Sequence, residues 1–295
     1  MGNAKLRQDI QKLSLWIKEA YGSLTFTLLE IGAVPLGDSG EPFHIIPELF
    51  PGSQIIAFEL DEQLCDQLNR EAKQGICYHP VAFGRKNEDR FLFETVHPMC
   101  TSLYAPNTEL LSRYNGLEVA MPVAISTVQT FGLDDFIAEK QLSPDFIKID
   151  IQGAELDVFK GGIQTLQRVK CIVSEVEFVP LYRKQPLFGD VSSFLSSQGF
   201  MFHKFLGLAG RTLAPLVLND KLNFATQHLW ADAMFILDVA GFDDLDDSAL
   251  LKLGVIAYLY YSPDVSYCCF KIFDSRNGTL LHKQVMGLVG QMPRS

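Results

Sequence analysis

Four acidic residues stand where apolar, β-forming runs of this sequence stop, and their neighbours suit small-ligand chemistry. Glu30 opens Glu30-Ile-Gly-Ala33, and Glu59 follows the run Gln54 to Phe58. Asp150 ends the run that begins at Phe146 and precedes Gln152-Gly153, while Glu175 stands in Ser174-Glu-Val-Glu177. In open α/β sheets the carboxyl ends of the strands are where ligands bind, so acids at those ends form one constellation. Carboxylates brought together there repel one another unless a cation or a donor-rich ligand sits among them.

Each member suggests a role. Gly32 permits close approach to the backbone, and Glu30 can hold a cationic amino group. No second glycine follows until Gly37, and Pro35 intervenes, so the phosphate cradle of a G-x-G-x-x-G loop is poor. That disfavours NAD and suits S-adenosylmethionine. Glu59 is placed to accept hydrogen bonds from ribose hydroxyls, and Ala82-Phe-Gly84 to border an adenine. Asp150 can act as general base for a hydroxyl, its pKa raised by burial and neighbouring acids. A divalent metal held by Asp150 and Glu175 is the lesser alternative, since no histidine stands at useful spacing. The six histidines form no i, i+4 pair, and no G-x-S-x-G or kinase-like set occurs.

These residues need elements to place them. Residues 4–21 carry Leu6, Ile10, Leu13 and Ile17 at helical spacing. Leu24 to Ile31, Gln54 to Phe58 and Ile76 to Phe83 read as the first three core strands. Phe43 to Phe50, and a helix capped by Asp61, separate them. Strand–helix alternation demands a parallel sheet with right-handed crossovers. From 87 to 130 the texture changes. Arg90 to Thr95, Thr101 to Tyr104 and Glu118 to Val128 read as inserted strands forming a lid. Asp134 to Glu139 is a helix, and the runs at Ile147 and Val169 to Val176 supply two more core strands. Gly189-Asp190 caps a further helix, and Phe200 to Leu206 with Ala233 to Leu237 closes the sheet. The polar run Gly241 to Asp247 marks a boundary, followed by helices at Ala249 to Tyr261 and Asp264 to Asp274. The expected division is an N-terminal helix at 1–23, a catalytic domain at 24–239 with the insertion, and a helical extension at 240–295.

With these residues placed, the chain from about Leu28 to Leu237 resembles the FkbM-type methyltransferases. The likeness rests on Glu30-Ile-Gly-Ala33, Ala57-Phe-Glu-Leu-Asp61, Thr101-Ser-Leu103, Leu133-Asp-Asp-Phe136 and Ile147-Lys-Ile-Asp-Ile-Gln-Gly-Ala-Glu155. Val176-Glu-Phe-Val-Pro-Leu-Tyr182 and Gln185-Pro-Leu-Phe188 are similar too. The resemblance implies a Rossmann-like, doubly wound α/β fold with a seven-stranded, mostly parallel sheet and one antiparallel strand. It implies S-adenosylmethionine as cofactor, held by Glu30, Gly32, Ala33, Glu59, Leu60, Ala82 and Asp150. It also implies methyl transfer to a hydroxyl on a small molecule or sugar. Asp150 would orient or deprotonate that hydroxyl, with Glu155 and Glu175 shaping the catalytic pocket. Ser102, Tyr104 and Gln152 are the expected substrate contacts. The sequence departs from the family at Glu30, where Asp is commoner, and at Val34-Pro-Leu-Gly-Asp-Ser-Gly40, where a short glycine loop is usual. A non-catalytic module of the same fold is the alternative reading.

Composition agrees. A net charge of −10 over 295 residues, with no clustered basic patch, argues against nucleic acid as partner. Hydrophobic residues at 47% support a large core. The six cysteines are scattered without C-x-x-C spacing, as reduced thiols of a cytoplasmic protein would be. No uncharged apolar run is long enough for a bilayer, so no membrane partner is expected. The C-terminal tail is a candidate dimer surface.

Overall fold

The computed structural model describes residues 3–33, 40–223 and 226–289. Helix α1 (Asn3–Ala20) leads to β1 (Thr27–Ile31), the short α2 (Ile46–Leu49), β2 (Gln54–Phe58), α3 (Glu62–Glu71) and β3 (Ile76–His79). β4 (Ala82–Gly84), β5 (Glu88–Thr95), α4 (Thr108–Leu111) and β6 (Pro122–Gly132) follow. The chain continues through α5 (Leu133–Glu139), β7 (Phe146–Ile149), α6 (Glu155–Lys160), α7 (Ile163–Leu166) and β8 (Cys171–Glu177). α8 (Phe188–Ser197), β9 (Phe200–Ala209) and β10 (Trp230–Leu237) complete the sheet, and α9 (Asp247–Leu259), α10 (Pro263–Asn277) and α11 (Leu281–Val289) end the described chain.

Seven strands form one sheet in the order β3-β2-β1-β7-β8-β10-β9. β10 alone runs antiparallel to its neighbours. The order reverses at β1, whose neighbours β2 and β7 leave a crevice at their carboxyl ends, the topological switch point where α/β proteins bind ligands. This is the doubly wound, Rossmann-like architecture expected. Both faces are covered, which is why β1, β2, β7 and β8 read as almost continuous apolar runs. On one face Leu29, Ile56, Ile147 and Ile172 pack beneath α5, α6, α7 and α8. On the other, Leu28, Ile55, Phe146 and Val173 meet α1 and the C-terminal helices.

α9 explains its own composition. From Leu250 to Leu259 every residue but Lys252 is buried, the pattern of a helix enclosed on all sides. Lys252 is neutralised by Asp145, both of whose carboxylate oxygens lie 2.9 Å from Nζ. One of those oxygens also accepts the Thr27 N–H at 3.0 Å. The tail is thereby tied to the starts of β1 and β7. Gly278, at φ +70°, ends α10. Asp274 then accepts the N–H groups of Leu281 and His282 and starts α11.

Several expectations need correction. Ile76 to Phe83 is two strands, because Pro80 has no N–H to continue the ladder. β4 leaves the main sheet and joins β6 and β5 in a separate three-stranded sheet of order β4-β6-β5. Thr101 to Tyr104 is no strand and makes only an isolated bridge from Ser102 to Phe93. Asp190 does not cap α8 but lies in its first turn, where its carboxylate accepts the Leu187 N–H at 2.9 Å. Most of the unusual loop after β1, residues 34–39, lies outside the described residues.

Candidate active site

The crevice is built by two turns pressed together. Gly32, at φ +84°, ends β1. Its N–H and that of Ala33 both reach the Phe58 carbonyl, at 3.0 and 2.9 Å. A Cβ on residue 32 would lie 1.9 Å from the Asp150 carbonyl oxygen, so only glycine fits. Asp150 in turn donates its N–H to Ile31 at 2.9 Å. Beyond it, Gln152 and Gly153 take φ values of +58° and +99°. Glu155 stabilises this turn: its Oε1 accepts the N–H groups of Ile151 at 2.8 Å and Gly153 at 3.2 Å. Burial pushes that carboxyl up to about 7, despite the amides that favour its ionised form.

At this edge opens a cleft of about 680 Å³, within the range of small-molecule sites. Its walls come from the ends of β1, β2 and β7, from the β3–β4 junction, and from β5 with the segment that follows it. Of the anticipated residues, Glu30, Gly32, Ala33, Glu59, Leu60, Ala82, Ser102, Asp150 and Gln152 all line it. Glu155, Glu175 and Tyr104 do not.

The reasons differ for each. Glu155 is engaged by backbone amides, as described above. Glu175 sits behind Gln152, whose Nε2 donates to Asp150 Oδ1 at 2.9 Å and to Glu175 Oε2 at 2.7 Å. Tyr182 donates to the amide oxygen of the same glutamine at 3.0 Å. Burial, with the charges of Asp150 and Glu177, raises the Glu175 carboxyl well above its ordinary value. Tyr104 turns away: its hydroxyl donates to Asp157 at 3.0 Å, and Arg90 donates to the same oxygen at 3.3 Å. The Ser102 hydroxyl donates to the Gln152 carbonyl at 2.7 Å and accepts the Tyr104 N–H at 3.0 Å. It braces the cleft more than it offers a free hydroxyl.

Glu59 uses one carboxylate oxygen to accept the N–H groups of Leu60 at 2.8 Å and Asp61 at 3.2 Å. Its second oxygen has no partner among the described residues. Glu30 is already engaged, since its Oε2 lies 2.8 Å from His44 Nε2. The expected free acid at this position is therefore a paired one.

Among the cleft residues that escaped the sequence reading are Glu41, His44 and Lys148. Lys148 is only 6% exposed. Its Nζ donates to Asp232 Oδ1 at 2.7 Å and lies 3.9 Å from Asp150 Oδ2. Burial works against its charge, but Asp150 and Asp232 outweigh burial and hold the ammonium firmly protonated. Burial raises the Glu41 carboxyl, and Lys148 pulls it back. The signal for Lys148 was its spacing: two residues before Asp150 on a strand, it must share that residue's face. Glu41 and His44 belong to the connection between β1 and α2 and left no local signal of their place in the cleft.

Among the described residues, six carboxyl groups (Glu30, Glu41, Glu59, Asp61, Glu94 and Asp150) line the cleft against one lysine and no arginine. Such a field favours a cationic ligand over a phosphate. Phe58, Leu60, Leu64, Val81 and Phe83 supply apolar surface to the cleft. Leu92, Pro98, Met99, Leu103 and Val123, from β5, the segment after it and β6, add a largely aliphatic wall. Among the described residues no three His, Cys, Asp or Glu side chains converge on a metal position.

Sheet order and crevice define a Rossmann-like, doubly wound α/β protein. Residues 30–202 match the methyltransferase FkbM domain, more than half of the sequence, and the chain belongs to that family of methyltransferases. Membership implies a methyl donor. The chain is also similar to the 2-O-methyltransferase NoeI of Sinorhizobium fredii, at 38% identity over 76 residues. That match spans 25% of this chain and 30% of the relative. Two solved structures resemble it distantly. One, from Thermoplasma acidophilum, is provisionally assigned as a methyltransferase and aligns at TM-score 0.33 and 11% identity, covering 74% of this chain and 70% of that one. The other, from Streptococcus pneumoniae, is provisionally assigned as a tRNA (m1A22) methyltransferase and aligns at TM-score 0.34 and 12% identity, covering 97% and 89%.

Proposed function

We propose that the protein transfers a methyl group from S-adenosylmethionine to a hydroxyl oxygen of a small molecule or sugar. The observation that carries this reading is the acid-lined cleft at the β1–β7 crevice, with Asp150 at its edge. The residues present suit the donor. Glu59 has a carboxylate oxygen left for ribose hydroxyls, apolar side chains from Phe58 to Phe83 suit a purine, and the carboxyl excess suits a sulfonium and an ammonium. The similar protein NoeI is a 2-O-methyltransferase, which supports oxygen as the acceptor atom.

When bound, S-adenosylmethionine supplies a methyl carbon that is already strongly electrophilic, so catalysis is chiefly positioning. Asp150 accepts the proton that the acceptor hydroxyl loses. Gln152 fixes the orientation of Asp150 through their 2.9 Å hydrogen bond, and the Lys148 ammonium lies 3.9 Å from its other oxygen. The aliphatic wall of Leu92, Met99 and Leu103 keeps water from the reacting oxygen.

The test is transfer of labelled methyl from S-adenosylmethionine to a panel of hydroxylated acceptors, by wild type and Asp150→Asn. The variant is expected to bind the donor but transfer about 10²- to 10⁴-fold more slowly. Full activity in Asp150→Asn removes the base role, and no transfer to any acceptor by wild type contradicts the reaction class.

A further inference from the structure

The buried lysine of the cleft is under-used by the protein itself. An ammonium has three donors. Lys148 makes a single hydrogen bond among the described residues, the 2.7 Å contact to Asp232. The second nearby carboxylate oxygen, on Asp150, is 3.9 Å away and beyond hydrogen-bond reach. Buried N–H donors left without partners are costly, more so on a charged group. A residue that lines the cleft while 6% exposed has one direction in which such partners can come.

The neighbouring acids sharpen the picture. Glu30 lies opposite Lys148 in the β1–β7 register, but its carboxylate is engaged by His44. Glu41 also lines the cleft, and no hydrogen bond or ion pair reaches its carboxyl among the described residues. Lys148 is the charge that most favours the ionised form of Glu41, which places the two within electrostatic reach. The cleft therefore presents a buried ammonium with donors to spare beside an acid that has no partner among the described residues. That pattern complements a zwitterion, a carboxylate and an ammonium on one carbon, and it does not complement a phosphate.

We infer that Lys148 and Glu41 form the subsite for an α-amino-acid group, Lys148 holding its carboxylate and Glu41 its ammonium. The inference rests on the proposed use of S-adenosylmethionine, whose amino-acid end has this chemistry, and it assigns that end to this corner of the cleft. It also moves the ammonium contact from Glu30, where the sequence suggested it, to Glu41. A carboxylate on the acceptor is the other source of the same chemistry, and the ligands below separate the two.

The test is calorimetric titration of the full chain with two thioether nucleosides. S-adenosylhomocysteine carries the amino-acid end, and 5′-methylthioadenosine lacks it. Lys148→Gln is expected to weaken S-adenosylhomocysteine about ten- to a hundredfold and to leave 5′-methylthioadenosine unchanged. Glu41→Gln should weaken the same ligand selectively, and Lys148→Arg should restore most of the loss. Unchanged S-adenosylhomocysteine affinity in Lys148→Gln, with wild type binding both nucleosides, overturns the inference alone and assigns the lysine to an acceptor. Equal loss of both ligands without rescue by Lys148→Arg overturns it in favour of a purely structural lysine. Failure of wild type to bind either nucleoside overturns both the inference and the proposed function.

Discussion

Gly32 and Asp150 hold each other in place, and the site depends on that contact more than on any other. A side chain at residue 32 would meet the Asp150 carbonyl at 1.9 Å and would also have to sit at φ +84°. Gly32→Ala is therefore expected to cost more than about 2 kcal/mol, read as a lower urea midpoint, and to weaken donor binding. Glu155 makes a different prediction. Its carboxyl is raised from 4.5 to about 7 in the folded chain. A raised acid lends stability that is complete below the unfolded pKa and is lost as pH rises through the folded one. Thermal stability should fall between about pH 4.5 and pH 7, and Glu155→Gln, which mimics the neutral form, should flatten that slope. An unchanged slope would show that the proton is held elsewhere, for example on Glu175. At this scale the sequence was informative where chemistry is local: an acid two residues before a glycine, or an acid closing a strand. It could not reveal that Glu30 is engaged by His44, or that Glu41 completes the corner, because those meetings are tertiary.

At the scale of elements, the insertion is a small sheet locked to the body of the fold. Asp157, on α6, accepts from both Tyr104 and Arg90, and so pins the segment after β5 and β5 itself. Burial, with Asp157 beside it, pushes the Tyr104 hydroxyl up to about 12, so it stays a donor at any working pH. Tyr104→Phe should cost about 0.5–1.5 kcal/mol of stability and leave kcat and KM for the acceptor nearly unchanged. A large rise in KM would instead return Tyr104 to the substrate. Alternation in Arg90 to Thr95 made β5 legible. The break at Pro80 was equally legible in principle, since proline cannot donate to a ladder, yet a continuous apolar run masked it. α11 was missed because its start depends on Asp274, which lies before the glycine that stops α10.

For the whole molecule, the C-terminal helices are part of the core. Leu250, Leu253 and Ile256 of α9 share one buried cluster with Leu6, Ile10 and Leu13 of α1 and with Leu28 and Phe146 of the sheet. Leu253→Ala should cost about 2–5 kcal/mol. Truncation before Asp247 should expose an entire sheet face and abolish cooperative unfolding, observable by circular dichroism. The alternation of strand and helix made the sheet legible from sequence, whereas the destination of the tail was not, because an all-apolar helix fits the chain's own core or a partner equally well. The central claim is that the crevice of this sheet receives a methyl donor. Calorimetric titration with S-adenosylmethionine, with NAD as control, on wild type and Glu59→Ala tests it most directly. We predict saturable binding of S-adenosylmethionine, none of NAD, and a loss of about 1.5–3 kcal/mol, roughly ten- to a hundredfold, in Glu59→Ala. Absence of S-adenosylmethionine binding to wild type, or binding untouched by loss of Glu59, would contradict it.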